Sequence, residues 1–113
     1  MTEADSAAGQ LVVRDVPERE RYEAWLGADG PLAAILTYAQ TDDRVTLRHT
    51  EVLEAYEGQG IGSRLVGEVF EDLRARGLGV VARCPFVIAW LRRHSDEQDI
   101  LVEPLRAPDQ PAP

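Results

Sequence analysis

A chain of 113 residues, 44% of them hydrophobic and 28% charged, is expected to form one globular domain with a substantial buried core. Its formal net charge of -8 argues against nucleic acid as a partner, because a phosphate backbone attracts a basic surface. The single cysteine cannot form an internal disulfide, and we find no signal-peptide pattern and no apolar run of membrane-spanning length, so a cytoplasmic protein without membrane contact is expected.

Both ends of the chain are expected to be tails. Residues 1–9 are small and polar, and residues 107–113 are rich in proline, so neither segment is expected to pack. The folded domain is therefore predicted to cover residues 10–106.

The first half of the chain predicts an antiparallel meander of short strands. Strand-like compositions cover residues 11–16, 21–27, 32–39 and 44–52, with turn signals between them. The last of these segments alternates apolar and polar residues with the period of a strand.

The second half predicts two helices. Apolar residues recur at helical spacing from Ile61 to Leu73, and Gly77 suits the position that ends a helix. Residues 78–84 predict a strand, Pro85 begins a helix that extends to residue 94, and residues 99–105 are compatible with a last short strand. The inward face of the second helix is expected to be formed by Phe86, Ile88, Ala89 and Trp90.

These elements together predict an α+β fold. Two main helices are expected to pack against one mostly antiparallel sheet of about five strands.

Three glycines, Gly58, Gly60 and Gly62, occupy alternate positions where the first helix is predicted to begin. Glycine loses more conformational entropy on folding than other residues. Its use here is therefore explained either by a turn with unusual backbone angles or by a ligand that approaches the backbone closely. The first N–H groups of a helix lack intrahelical partners, and the helix dipole adds about half a positive charge there, which favours an anion. The expected donors are the main-chain amides of Gln59, Gly60, Ile61, Gly62 and Ser63.

Two familiar phosphate-binding motifs do not fit this turn. The dinucleotide fingerprint requires glycine where Ser63 stands, and it belongs in a parallel unit of strand, helix and strand. No Walker lysine follows Gly62 either, since Ser63 and Arg64 come next. The remaining interpretation is a pyrophosphate site that follows an antiparallel meander.

The chain resembles the GCN5-related N-acetyltransferase superfamily in two segments, HTEVLEAYEGQGIGSRLV at 49–66 and RARGLGVVARCPFVIAWLRRH at 74–94. It is similar in particular to the small branch typified by N-acetyltransferase domain-containing protein 1, over about residues 11–103. The resemblance implies acetyl-CoA as the cosubstrate, an amine as the acceptor and no metal ion. It also implies a compact sheet that is splayed between strands ending near Val52 and Cys84, with the pyrophosphate bound by residues 58–63.

Three departures from the superfamily pattern affect the expected site. Glu57 stands where Arg or Gln usually begins the loop, so backbone amides are expected to carry more of the binding, with help from Arg64. The helix at 85–94 lacks the Tyr that often protonates the departing thiolate. No helices separate the first strands, so the acceptor site is expected to be open.

Acetyl transfer requires a polarised carbonyl, a base for the amine and a proton for the thiolate. Main-chain N–H groups near Val52 are candidates for the first role, and Glu51 is the candidate base, with His49 as a relay through water. These two side chains share a face of the strand unless a bulge separates them. Cys84 is the candidate that protonates the thiolate or accepts the acetyl group.

Each of these residues also has a purely structural interpretation. Glu51 fits a solvated carboxylate at a strand edge, His49 fits a half-buried imidazole bonded to the backbone, and Cys84 fits a small buried residue that fills space. The expected activity is N-acetylation by direct attack in a ternary complex, and the alternative is a non-catalytic acyl-CoA-binding sensor or scaffold module. The acceptor, a small amine or a peptide, and the oligomeric state stay open.

Overall fold

The computed structural model describes residues 11–105, so the predicted tails at 1–9 and 107–113 lie outside the described residues. One five-stranded sheet is formed, in chain order, by β1 (Leu11–Val16), β2 (Arg21–Leu26), β3 (Leu32–Thr41), β4 (Arg44–Val52) and β5 (Gly79–Ala82). Neighbouring strands from β1 to β4 are antiparallel, and β5 is parallel to β4. The two main helices are α1 (Ile61–Ala75) and α2 (Pro85–Arg93). The predicted α+β class is confirmed.

Helix α1 buries the face that its apolar spacing predicts. The six apolar residues of this face are at most 1% exposed, and they are Ile61, Leu65, Val66, Val69, Phe70 and Leu73. They share one core cluster with Leu36 of β3 and Leu47 of β4. The helix ends as expected at Gly77, because the N–H of Leu78 donates to the Leu73 carbonyl at 3.0 Å and the N–H of Gly77 to the Arg74 carbonyl at 3.1 Å.

Helix α2 presents a different face to the core from the one predicted. Its buried residues are Val87, Trp90 and Leu91, whereas Phe86 and Ala89 are exposed. The buried set has the spacing i, i+3, i+4 of a single helical stripe, and Phe86 lies outside that stripe. The prediction was right for Trp90 and for Ile88, which is half-buried against the core, and wrong for Phe86 and Ala89.

The predicted last strand at 99–105 is wrong. A 3-10 helix covers Ser95–Ile100, and only Leu101 forms an isolated parallel bridge, with Val80. The guanidinium of Arg74 fixes the 3-10 segment through ion pairs with Glu97 and Asp99. Pro104, which has no N–H to donate, prevents a longer ladder.

A polar network joins the last turn of α1 to the sheet. The Tyr22 hydroxyl donates to the Asp72 carboxylate at 2.5 Å, and the Tyr38 hydroxyl donates to Asp15 at 2.6 Å. The Arg76 guanidinium contacts both carboxylates, at 2.9 Å from Asp72 and 3.1 Å from Asp15. Burial, followed by these hydrogen bonds to carboxylates, raises the pKa of both phenols above the usual range. The network fixes α1 against β1, β2 and β3.

The sheet face away from the helices is covered by long side chains. Glu23 of β2 is only 5% exposed, and its carboxylate accepts hydrogen bonds from Arg21 at 2.8 Å and from the Trp25 indole at 3.1 Å. The guanidinium of Arg14 lies 5.6 Å from the centre of the Trp25 ring. Burial acts to raise the pKa of Glu23, but the hydrogen bonds from Arg21 and Trp25 and the Arg21 and Arg19 charges outweigh it and hold that pKa below its usual value.

We expect Glu23→Gln to destabilise the protein by roughly 1–3 kcal/mol near neutral pH, because Arg21 loses a charged acceptor. Since the folded-state pKa of Glu23 is lowered, its contribution is complete above the ordinary value of 4.5 and is lost as the pH falls through the folded-state pKa. Urea unfolding from about pH 7 down to about pH 3 measures both effects, with the exposed Glu18→Gln as control. A difference between wild type and Glu23→Gln that does not shrink at low pH would contradict this.

Candidate active site

A wedge opens in the sheet between β4 and β5. The two strands pair only from Arg44 with Gly79 to Leu47 with Ala82. The N–H groups of Arg83 and Cys84 then both donate to the Leu47 carbonyl, at 2.9 and 3.1 Å, and α2 begins at the next residue. Strand β4 continues to Val52 beside β3 alone, so the edge of residues 48–52 is not paired with β5.

A bulge at Arg48 changes which side chains face the core. Thr37 pairs with His49 and Tyr38 with Leu47, so Arg48 is an extra residue in β4. Beyond the bulge, Thr50 points to the helix side, where its hydroxyl lies 3.2 Å from the Cys84 sulfur. The alternation read from the sequence is therefore interrupted in the middle of this strand.

His49 and Glu51 lie together on the outer face. Their side chains are 63% and 58% exposed, and the His49 Nε2 is 3.8 Å from a carboxylate oxygen of Glu51. They share a face because the bulge precedes both residues. The structure therefore groups these two candidates with each other and not with Cys84, which is 2% exposed on the helix side.

Main-chain groups of β4 point into the wedge. The N–H of Leu53 donates to the Ala33 carbonyl at 2.8 Å, so alternate residues of β4 from Leu53 back to His49 direct their main-chain groups to β3. The main-chain groups of Thr50 and Val52 consequently face the wedge. This is the orientation that the oxyanion role expected of Val52 requires.

Cys84 lies at the inner end of the wedge, where its carbonyl accepts the N–H of Ile88 at 2.9 Å at the start of α2. Thr50 is a site residue that the sequence analysis missed. Its position beside the thiol depends on the bulge, and no local pattern indicates that bulge.

The glycine turn before α1 is not blocked by a side chain. Gly58 and Gly60 have φ of 80° and 77°, and no atom lies within 4 Å of the position of a Cβ at either residue. Gly60 is the N-cap of α1, no side chain caps the helix, and its carbonyl accepts the N–H of Arg64 at 3.1 Å. The first amides of α1, those of Ile61, Gly62 and Ser63, precede that bond and have no partner in the helix ladder.

Gly62 has another structural reason to be glycine. A Cβ at this position would lie 2.7 Å from the end of the Phe86 ring. Gly62 is buried, so close packing of the two helix starts accounts for it. The prediction that a glycine makes space for an anion is therefore kept for Gly58 and Gly60 alone.

A groove runs from this turn between α1 and α2, with a volume of about 700 Å³. We call it the α1–α2 groove. Near the turn it is lined by Gln59, Gly60, Ser63 and Arg64. The Arg64 guanidinium donates to Glu68, one turn further along α1, at 3.0 Å.

Within residues 11–105, no group of three or more His, Cys, Asp or Glu side chains is arranged to hold a metal ion. In the same part of the chain, no helix has both the length and the apolar composition needed to cross a bilayer.

We expect Gly62→Ala to destabilise the protein by about 1–3 kcal/mol, because the new methyl group overlaps the Phe86 ring. Adding Phe86→Leu should recover most of the loss, since the clashing ring atom is removed. Urea unfolding of the two single variants and the double variant measures this coupling. Gly67→Ala is the matched control, because a Cβ there meets only Trp90, at 3.7 Å. Additive effects would contradict the packing explanation for Gly62.

The chain is similar to known proteins in sequence and in fold. A family model described as GCN5-related N-acetyl-transferase matches residues 21–100. No curated protein matches the chain significantly. The fold resembles the NMR structure of a GCN5-like protein from Staphylococcus aureus, with a TM-score of 0.62 and 23% identity over 88% of this chain and 96% of that chain.

A crystal structure of nourseothricin acetyltransferase is 32% identical over 55% of this chain and 38% of that chain, but its TM-score of 0.40 is too low to support an argument. The family model covers well over half of the sequence, and the first structure has the same fold. The chain belongs to the GCN5-related N-acetyltransferase family.

Proposed function

We propose that the protein transfers the acetyl group of acetyl-CoA to a primary amine by direct attack in a ternary complex. We also propose that it belongs to the small branch typified by N-acetyltransferase domain-containing protein 1. The observation that carries the proposal is the wedge between β4 and β5, with the main-chain groups of Thr50 and Val52 directed into it next to an unblocked glycine turn.

The glycine turn fits a pyrophosphate. The amides of Gln59, Gly60, Ile61, Gly62 and Ser63 would hold it, in a field made positive by the α1 dipole. The absence of a Cβ at Gly60 leaves room for phosphate oxygens to reach the backbone. For Arg64 to assist the pyrophosphate, its guanidinium would have to leave Glu68, with which it pairs at 3.0 Å, so the main-chain amides carry most of the proposed binding.

The wedge fits the thioester end of the coenzyme. The N–H of Val52 would donate to the carbonyl oxygen of the acetyl group, where negative charge develops during attack. Because that N–H belongs to a strand held by β3, its direction is fixed before the substrate binds.

The amine would approach from the outer face. There the Glu51 carboxylate accepts a proton from the amine, either directly or through His49 and a water molecule. On the helix side, Cys84 gives its thiol proton to the departing thiolate and regains a proton from solvent. The hydroxyl of Thr50, 3.2 Å from the sulfur, positions the thiol.

The acceptor is proposed to be a cationic small amine or a basic peptide, because the chain has a net charge of -8 and no layer of helices covers the outer face within the described residues. Nucleic acid and membranes are not proposed as partners. The cytoplasm is the proposed location, since Cys84 is the single cysteine and forms no internal disulfide.

The alternative is a non-catalytic acyl-CoA-binding sensor or scaffold module. Two observations favour it: Glu57 begins the loop, and α2 carries no Tyr. A titration with acetyl-CoA, followed by a screen of amines and peptides for release of free CoA, separates the two functions. Binding without release to any acceptor would favour the sensor, and absence of binding would exclude both.

We expect Gly60→Val to abolish acetyl-CoA binding, because its branched side chain fills the space in front of the α1 amides. Gly77→Val is the matched control, since Gly77 also has a positive φ, of 70°, with nothing within 4 Å of its Cβ position, and it follows the opposite end of α1 from Gly60. Both variants should lose similar stability in thermal unfolding, while only Gly60→Val loses binding in calorimetry. Retained affinity in Gly60→Val would refute the pyrophosphate assignment.

We expect Cys84→Ala to lower turnover about 10²-fold, the lower end of the usual contribution from a positioned proton donor, while the Kd for acetyl-CoA changes by less than about twofold. Cys84→Ser keeps a hydroxyl at the same position and should retain more activity than Cys84→Ala. Release of CoA to an accepted amine measures turnover, and calorimetry measures the Kd. Unchanged turnover in Cys84→Ala would remove Cys84 from the chemistry.

A further inference from the structure

We propose that the free edge of β1, formed by the main-chain groups of Leu11, Val13 and Asp15, binds an extended basic segment of a partner protein. The segment adds to the sheet as a further strand and directs alternate side chains to carboxylates of α1. This surface lies at the end of the sheet opposite to β5, away from the wedge. The inference goes beyond the proposed function and does not depend on the proposed reaction.

Strand β1 has a strand partner on one side only, because it ends the sheet. The N–H of Tyr38 donates to the Glu20 carbonyl at 2.9 Å, so every second residue of β2 from there directs its main-chain groups to β3. The intervening residues of β2 face β1, where they pair with the even-numbered residues of β1. The N–H and C=O groups of Leu11, Val13 and Asp15 consequently point away from the sheet.

The free edge lacks the usual protection against another strand. Edge strands are commonly kept from pairing by bulges, prolines or charged side chains. Strand β1 contains no Pro, and its register with β2 runs from Leu11 to Val16 without a bulge. Its one basic side chain, that of Arg14, lies over the Trp25 ring and donates to the Ala28 carbonyl at 2.9 Å. The edge is therefore regular and able to accept a strand.

An acidic pocket adjoins the free edge on the helix side of the sheet. Its volume is about 330 Å³, and it is lined by Val13, Asp15, Tyr22, Glu68, Glu71 and Asp72. Opposite residues of paired strands share a face of the sheet. A segment that pairs with β1 therefore places the side chains opposite Val13 and Asp15 at this pocket, and its intervening side chains on the outer face.

The charges of the pocket select basic side chains. Its carboxylates are those of Asp15, Glu68, Glu71 and Asp72. Arg76 pairs with Asp15 at 3.1 Å and with Asp72 at 2.9 Å, and Arg64 pairs with Glu68 at 3.0 Å. Glu71 is exposed and forms no hydrogen bond or ion pair with another of the residues 11–105. Two guanidinium groups thus face four carboxylates, and Lys or Arg side chains of a partner would offset the excess.

Two other occupants fit these charges less well. Symmetric pairing of β1 with β1 of a second copy would bring two acidic pockets together, and like charges across an interface are costly. The segment that precedes β1, residues 1–10, contains Glu3 and Asp5 and no Lys or Arg. The charge of the pocket therefore favours a basic segment from another protein.

The test uses a blocked, fluorophore-labelled peptide of about eight alternating Arg and Thr residues, which is long enough to span β1. It carries no primary amine, so the proposed reaction cannot acetylate it. The control peptide has the same composition as one Arg block and one Thr block, so that in a strand only part of its Arg side chains can face α1. Fluorescence anisotropy without acetyl-CoA measures both Kd values, and the control should bind at least about tenfold more weakly.

Two further measurements make the test specific to the free edge. In the complex with the alternating peptide, the amide hydrogens of Val13 and Asp15 should exchange with solvent at least about tenfold more slowly, because each gains an acceptor. Glu71→Lys should weaken binding of that peptide at least about fivefold. Asp96→Lys is the matched control, since it makes the same change of charge at an exposed residue of the 3-10 segment and should alter the Kd less than about twofold.

Four results would each overturn the proposal: no binding of the alternating peptide, equal Kd values for the two peptides, equal losses in Glu71→Lys and Asp96→Lys, or unchanged exchange at Val13 and Asp15 in the complex. A dimer in sedimentation equilibrium whose formation protects the same two amides would also overturn it, in favour of a second copy as the occupant. None of these results bears on acetyl transfer, which is tested separately by release of CoA.

Discussion

The candidate site depends on one carbonyl group. The oxygen of Leu47 accepts hydrogen bonds from the N–H groups of both Arg83 and Cys84, and the pairing of β5 with β4 ends there. Pro85 then begins α2, so no strand residue after Cys84 can pair with residues 48–52 of β4. Main-chain donors that lack a strand partner are costly to bury and are ready to bind a ligand. The wedge follows from this local interruption of a parallel pair.

Helix α1 holds the second half of the site at a fixed distance from the wedge. Its apolar stripe packs on the sheet, and the network of Tyr22, Asp72 and Arg76 ties its last turn to β1 and β2. The stripe begins at Ile61, directly after Gly60, so packing on the core also fixes the direction of the first-turn amides. Such pre-organisation lowers the cost of binding an anion there.

The parts of the fold that the sequence predicts are those fixed by local patterns. The α1 face follows from apolar residues at helical spacing over four turns, and Gly77 marks the end of the helix. Helix α2 has more apolar residues than it buries, so composition alone does not show which of them face the core, and the prediction for Phe86 was wrong. The bulge at Arg48 depends on how β3 pairs with β4, which no local pattern of β4 encodes. Thr50, the partner of Cys84, was missed for that reason.

The same bulge has a consequence for the proposed chemistry. If β4 passed through Arg48 without a bulge, period-two alternation would continue the inward positions of Val45 and Leu47 to His49 and Glu51, on the side of Cys84. A base and a thiol on one face could exchange their proton directly, and neither would then serve the substrate. With the bulge at Arg48, the carboxylate and the thiol lie on opposite faces of β4. The amine and the departing thiolate of the proposed reaction can therefore each have a separate proton partner.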